Sequence, residues 1–291
     1  GNLGYEFIGI FSGQYRYKMV LTTYTNCGPS SNFTTSEDPI NDIGIYEHDL
    51  SNDPQNGGDK NFLTTVTMLM VQDFEIEPNQ ASNCSVGLNT CIRKGVYEGF
   101  VDLPLNFEGY HAFYERCCRN NSIVNLIPSE SMAFHCYISP PLLQNSSPIF
   151  TDDPVPFLCV GDTTTILNSA FDPDGDLLTF SFVHPYNGYS NAGNPAPNAP
   201  QPTLQWTIPT VQYAVGYSVN APFGAGGGQS INATSGLTSY FPASVGDYVV
   251  AVEIKEYRNG NLIGITRRDL QLLVLNCPPN PSPAIDPVAG T

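Results

Sequence analysis

Residues Phe171-Asp172-Pro173-Asp174-Gly175-Asp176-Leu177-Leu178-Thr179-Phe180 set three carboxylates on alternate positions, with a glycine to turn the chain. Closely spaced aspartates supply the several oxygen ligands that a hard cation such as Ca²⁺ takes. An apolar strand pattern begins directly behind them, so the acidic turn is expected at the end of a β-strand. Upstream, Asn145-Ser146-Ser147-Pro148-Ile149-Phe150 reads as the linker into this second half. Together the two segments suit an extracellular β-sandwich with a calcium-stiffened junction, not an active site. Asp172, Asp174 and Asp176 are the candidate metal ligands, and Asp153, with Asp152 and Asn145, is expected to complete the shell from the linker. The plainer alternative is a solvated acidic turn, in which Asp and Gly only shape the backbone.

The length of 291 residues suggests two domains. Hydrophobic residues make up 41%, enough for cores, while charged residues reach only 13%, about half the usual share. The net charge is -16, from 11 basic and 27 acidic residues. Such a field repels phosphate backbones and suits divalent cations, so no nucleic-acid partner is expected. No apolar run reaches the length that a bilayer demands, so no membrane span is expected. For a secreted protein, Gly1 would be a mature or trimmed terminus.

The eight cysteines are Cys27, Cys84, Cys91, Cys117, Cys118, Cys136, Cys159 and Cys277. Their even count and scattered spacing favour disulfides in an oxidising compartment. Cys159 precedes the first strand of the second half and Cys277 follows its last, so these two are paired. Cys84 and Cys91 are expected to close a small loop. Cys117 and Cys118 are neighbours, and neighbours on a strand face opposite sides, so each is expected to reach a different partner. A zinc site would need paired Cys or His spacings that do not occur. A mixed site of His111 and His135 with Cys117, Cys118 and Cys136 is the alternative.

The hydrophobic pattern is β almost throughout. Gln14 to Tyr24 alternates, with Tyr15, Tyr17, Met19 and Leu21 on one face and Arg16, Lys18 and Thr22 on the other. Ser12-Gly13 turns the chain ahead of it. Pro140-Pro141 breaks regular structure before the linker, and this fixes the expected boundary. The clearest hairpin joins Asp247–Tyr257 to Leu262–Leu275 through Arg258-Asn259-Gly260-Asn261, where Asn-Gly favours a type I′ turn. The expected fold is all-β: two tandem β-sandwich domains of immunoglobulin or cadherin type, braced by disulfides. They span residues 1–144 and 145–278, and a Pro-rich tail follows at 279–291.

The second half resembles cadherin-like domains, through Asn145-x-x-Pro148-x-Phe150, then Asp172 to Phe180, then the closing hairpin. The whole chain resembles the modular surface proteins of Bacteroidetes associated with gliding motility and type IX secretion. Four segments carry that likeness. They are Tyr24-Thr25-Asn26-Cys27, Arg116-Cys117-Cys118-Arg119-Asn120-Asn121, the Asn145 motif, and Tyr257-Arg258-Asn259-Gly260 leading to Arg267-Arg268-Asp269-Leu270. No C-terminal sorting domain of that kind is visible. The resemblance implies adhesion or surface-fibre architecture and no catalytic residues.

Other features point to other partners. Tyr186, Tyr189, Trp206, Tyr213 and Tyr217 lie around Asn- and Gly-rich loops and would suit stacking on surface glycans; the alternative, that they fill the core, is favoured. Leu3–Phe11 or the tail could add a strand to a neighbouring copy, which would make the chain a filament subunit. A carbohydrate-binding module or glycosidase is a third reading, since two catalytic carboxylates need not be close in sequence. Neither a nucleophile elbow nor a zinc-protease motif is present. A second acidic stretch, Asp38, Asp42, Glu47, Asp49, Asp53 and Asp59, lacks EF-hand spacing and reads as a solvated loop. Asn-x-Ser/Thr sequons occur at Asn32, Asn83, Asn120, Asn145 and Asn232, and Asp162-Thr163-Thr164 resembles the Asp-Ser/Thr O-glycosylation signal of Bacteroidetes, which would modify Thr163.

Overall fold

Two tight turns fix the register of the hairpins at the two ends of the described chain. Ser12 and Gly13 take φ values of 50° and 80°, and Asn259 and Gly260 take 54° and 82°. Two successive left-handed residues are what a type I′ turn requires, and its twist matches that of the flanking strands. The sequence places a turn at both positions, and in each the second residue is a glycine free to adopt positive φ.

The structure, a computed structural model, describes residues 1–26, 38–48, 60–76, 92–154, 157–189, 200–205 and 207–277. Cys27, Cys84, Cys91, Trp206 and the tail from residue 278 lie outside them. Seventeen strands and no α-helix are present among the described residues. The first half holds β1 (Asn2–Phe11), β2 (Gln14–Asn26), β3 (Ile40–His48), β4 (Lys60–Glu75), β5 (Ile92–Leu103), β6 (Tyr110–Arg116) and β7 (Met132–Ile138). Five short or medium strands come next: β8 (Ile149–Phe150), β9 (Phe157–Cys159), β10 (Thr164–Leu167), β11 (Ala170–Phe171) and β12 (Leu177–Val183). The chain ends in β13 (Thr203–Leu204), β14 (Gly228–Ile231), β15 (Leu237–Phe241), β16 (Gly246–Arg258) and β17 (Asn261–Leu275). Among the described residues no helix is long and apolar enough to cross a membrane.

One antiparallel path runs β1-β2-β5-β4-β3-β6-β7-β17-β16-β12, and β17 also pairs with β1. The ladder of the first half therefore closes on itself through β17, with Cys136 opposite Thr266 and Asn2 opposite Arg268. Further along, Leu273 to Leu275 of the same strand pair in parallel with β9. A second sheet, β10-β15-β14, and the pair β11-β8 complete the second half. Inside the closed path lies the largest core, built from Tyr5, Tyr17, Met19, Leu21, Ile43, Ile45, Tyr97 and their neighbours. The alternation expected of β2 is met, with Tyr15, Tyr17, Met19 and Leu21 all buried. A separate core around Leu158, Tyr240, Tyr248 and Leu272 belongs to the second half.

The expected boundary at residue 145 is crossed by more than a linker. Two further clusters draw on both sides of it: Tyr46 and Phe113 pack with Tyr186 and Leu204, and Leu126 packs with Val211 and Val249. Asn125, fully buried, offers its side chain to β16 as a strand would offer backbone: Nδ2 donates to the Val249 carbonyl at 2.8 Å and Oδ1 accepts from the Val249 N–H at 3.0 Å. The linker itself lies along β1. Tyr5 N–H donates to Ser147 Oγ and Ser147 N–H donates to the Tyr5 carbonyl, both at 2.8 Å. β1 is thus engaged on its second edge over its first part, at Asn2, Tyr5 and Phe7.

The cysteines depart from expectation in two places. The sulfur atoms of Cys117 and Cys118 lie side by side, not turned to opposite sides. The reason is that β6 ends at Arg116, so the two lie in the bend beyond it and strand alternation does not apply. Cys136 bonds to no other cysteine among the described residues; it points into the first core, where burial pushes its thiol pKa up. Cys159 and Cys277 lie close together as expected, with Cα atoms 5.4 Å apart, a separation that suits a disulfide.

Arg119, from the Arg-Cys-Cys-Arg-Asn-Asn segment, ties this bend to β17. Its Nη1 and Nη2 donate to the two Asp269 carboxylate oxygens at 3.0 and 2.6 Å, while Nη2 and Nε reach the carbonyls of Tyr186 and Ser131. Both side chains are nearly inaccessible. Removing one partner of such a pair strands the other charge in a poor solvent. Arg119→Ala is expected to cost about 3–5 kcal/mol of stability in urea unfolding. Arg16→Ala, which breaks the exposed pair with Asp102 on the outer face, should leave the midpoint nearly unchanged.

Candidate functional site

The acidic turn connects β11 to β12, at a strand end as its sequence implies. Asp172 organises it: the N–H groups of Asp174 and Asp176 both donate to Asp172 Oδ1 at 2.9 Å, and Gly175 takes a φ of 81°. An aspartate that caps its own turn in this way favours the loop over any strand continuation. The three carboxylates do not converge on one point. Asp174 turns outward to the linker, where its Oδ2 accepts the Ser146 N–H at 2.6 Å. Asp176 faces the tip of the β16-β17 hairpin and receives Arg258, with Nε on Oδ1 at 2.8 Å and Nη2 on Oδ2 at 2.6 Å.

Two residues that sequence reasoning gave no role complete the site. Glu256 and Arg258 stand two apart at the end of β16, and both side chains meet Asn145. Register pairs Glu256 with Leu178 of β12, which carries it to the acidic turn. Ligand oxygens of Asp172, Asp176 and Glu256 all lie within 4.8 Å of one another. Asn145 joins them from the linker. Its Nδ2 donates to Glu256 Oε1 at 2.6 Å and to the Tyr5 hydroxyl at 3.1 Å, and its Oδ1 accepts from Arg258 Nη2 at 2.6 Å. A strand end that carried one acidic and one basic side chain two residues apart, next to a type I′ tip, was the signal available for both.

Asp153 and Asp152 are not part of the site. Asp153 pairs with Lys94 and accepts from the Tyr24 hydroxyl, and Asp152 accepts from Thr151. The reason is that β8 leads the linker away toward β2 and β5 before residue 152 is reached. Their place in the expected shell is taken by Glu256.

Burial dominates the electrostatics. Glu256 is 1% exposed, and its pKa is pushed from an ordinary 4.5 to about 8. Loss of hydration is the main cause; the Asn145 amide opposes it, and the neighbouring Asp172, Asp176 and Asp174 add to it. Asp172 is also raised, again chiefly by burial. Arg258 is held above its usual range by its bonds to Asp176. Two carboxylate oxygens, Asp172 Oδ2 and Glu256 Oε2, are buried without any hydrogen-bond partner. Room for Glu256 exists because Gly264 faces it across the hairpin; a Cβ there would collide with Oε2. Unsatisfied, fixed carboxyl oxygens of this kind fit a hard divalent cation once the proton is given up. Such an ion would be held by Asp172, Asp176 and Glu256.

The remaining candidates sort differently. Asp38 forms an ion pair with Arg116 at 2.7 Å, Asp42 and Glu47 lie on β3, and Asp49, Asp53 and Asp59 fall outside the described residues. His111 Nδ1 and His135 Nε2 lie 2.9 Å apart between β6 and β7, but among the described residues no cysteine joins them in a metal-binding group. Tyr186, Tyr189, Tyr213 and Tyr217 pack against core clusters, and the Arg267 guanidinium stacks on the Tyr186 ring at 3.8 Å. Thr163 is exposed, with its N–H on Asp162 Oδ1. No protein-family model matches the chain, and no curated protein matches it.

A raised carboxyl pKa binds more protons in the folded chain than in the unfolded one. Its contribution to stability therefore falls as pH rises from about 4.5 to about 8. In metal-free buffer, Glu256→Gln should remove this contribution. The variant's stability advantage over wild type is expected to grow between pH 5 and pH 8 in urea titrations, and an advantage independent of pH would contradict the assignment.

Proposed function

We propose that this chain is a non-catalytic structural or adhesive module of an extracellular bacterial surface protein, stiffened by calcium. Its two halves, residues 1–144 and 145–278, act as sandwich units fused through the β16-β17 hairpin. The observation that carries the reading is the orphaned pair Asp172 Oδ2 and Glu256 Oε2, buried where linker, turn and hairpin meet. A cation seated there would tie the linker side of the junction to the hairpin that closes the first half. The net charge of -16 favours divalent ions, and the closely placed Cys159 and Cys277 suit an oxidising exterior. Likeness to Bacteroidetes surface proteins supports the same setting. Natural partners on this reading are neighbouring modules or further copies of the chain.

Calcium sites of extracellular modules bind at roughly 10⁻⁴–10⁻³ M, so the ion would serve as a brace in mineral-rich surroundings. A ligand present at about a hundred times its dissociation constant adds about 2.7 kcal/mol. For a chain of this size that corresponds to a rise of about 5 °C or more in melting temperature. Scanning calorimetry in CaCl₂ at about a hundred times these dissociation constants, roughly 10–100 mM, and in EDTA checks this; coincident transitions would overturn the calcium part of the reading.

A further inference from the structure

Arg258 already holds the oxygens that a cation at this turn would seek. Its guanidinium donates to both Asp176 oxygens, to Asn145 Oδ1 and, through Nη1, to the Leu143 carbonyl at 2.8 Å. Asp174 Oδ2 lies 3.8 Å from Nη2. Beyond its reach, Asp172 Oδ2 and Glu256 Oε2 keep no partner, although both residues are more than nine-tenths buried. The cluster therefore contains one set of oxygens satisfied by an internal cation and another left bare. Asp176 belongs to both, because one of its oxygens also lies within 4.8 Å of a ligand oxygen of Asp172 and of Glu256.

We propose that Arg258 is a built-in competitor of the divalent ion: guanidinium and calcium contend for Asp176, and the ion takes its seat on Asp172, Asp176 and Glu256 by drawing Asp176 off the arginine. This rests on the calcium reading above. The physics is direct. A fixed positive charge a few ångströms from a bound cation repels it, and more strongly where water is excluded. The planar fork of arginine also gives Asp176 two directional bonds that an incoming ion must replace. Arg258 thus sets the affinity of the site. It also keeps the junction tied when no ion is present, since Leu143 and Asn145 lie on the linker side and Arg258 on the hairpin. Choice between ions follows from the same geometry. Calcium accepts irregular sets of protein oxygens, whereas magnesium demands a near-ideal octahedron and retains its waters.

Isothermal titration of the whole chain with CaCl₂ tests the competition, using wild type, Arg258→Gln and Glu256→Gln, each also melted in EDTA. Removing the guanidinium is expected to tighten calcium binding by about tenfold or more. The same variant should melt below wild type in EDTA and recover in calcium. Glu256→Gln should lose the binding heat. If wild type binds calcium and Arg258→Gln binds it equally or less tightly, the competition is overturned and the calcium reading stands. Binding by Glu256→Gln at wild-type strength would overturn the seat. Silence in wild type with binding in Arg258→Gln supports the competition, whereas silence in both overturns this inference together with the calcium reading. Should Arg258→Gln not fold, Arg258→Lys keeps the charge but lacks the fork; several-fold tighter binding than wild type is expected, and unchanged binding overturns the proposal.

Discussion

Carboxylates taken out of water must be paid for by protons, by cations or by donated hydrogen bonds. At the meeting point of linker, acidic turn and hairpin, the last two are in use. Asp172 accepts two backbone N–H groups on one oxygen, Asp176 holds a guanidinium, and Glu256 leans on the Asn145 amide. What remains are two bare oxygens, and loss of hydration on burial is the main cause of the raised pKa of Glu256. Every other property of this junction follows from how that deficit is met. A proton meets it at low pH, and a divalent ion would meet it at higher pH. Breaking Arg258 would enlarge it.

The deficit sits where it matters mechanically. The linker that carries Asn145 also lies along β1, and the hairpin that carries Glu256 and Arg258 closes the sheet of the first half. Tyr5 fastens the linker to β1, since its hydroxyl accepts from Asn145 while its backbone bonds Ser147. Arg119 and Asp269 make a second tie along β17, independent of the first. Two buried charge clusters and a shared strand therefore oppose rotation of one half against the other. Exposed pairs such as Arg16 with Asp102 add little to this, because water screens them.

Local chemistry was the legible part of the sequence. The all-β architecture, the Ser12-Gly13 and Asn259-Gly260 turns and the inward face of β2 follow from period and turn preference, which act over a few residues. The Asp172–Asp176 turn was legible for the same reason. What could not be read depends on register between distant strands. Glu256 and Arg258 reach the turn only because β12 pairs with β16, and Asp153 leaves it only because β8 redirects the linker. The fate of Cys117 and Cys118 turned on where β6 stops, a one-residue matter that propensity does not decide. Pro140-Pro141 correctly marks a break in regular structure, yet a break in the chain is not a break in the sheet. The pairing of β17 with both β7 and β1 has no signature in either segment alone.

That closure has a kinetic side. β1 and β17 come from opposite ends of the described chain, and the seam between β7 and β1 is filled only when β17 arrives. Pairings this remote in sequence are slow to form, because a long loop must be closed before any contact rewards it. During synthesis, then, the N-terminal strands wait as an open curl with a ready-made edge on each side. Until the last long hairpin emerges, these edges are the places where the nascent chain is most exposed to mispairing with a neighbour.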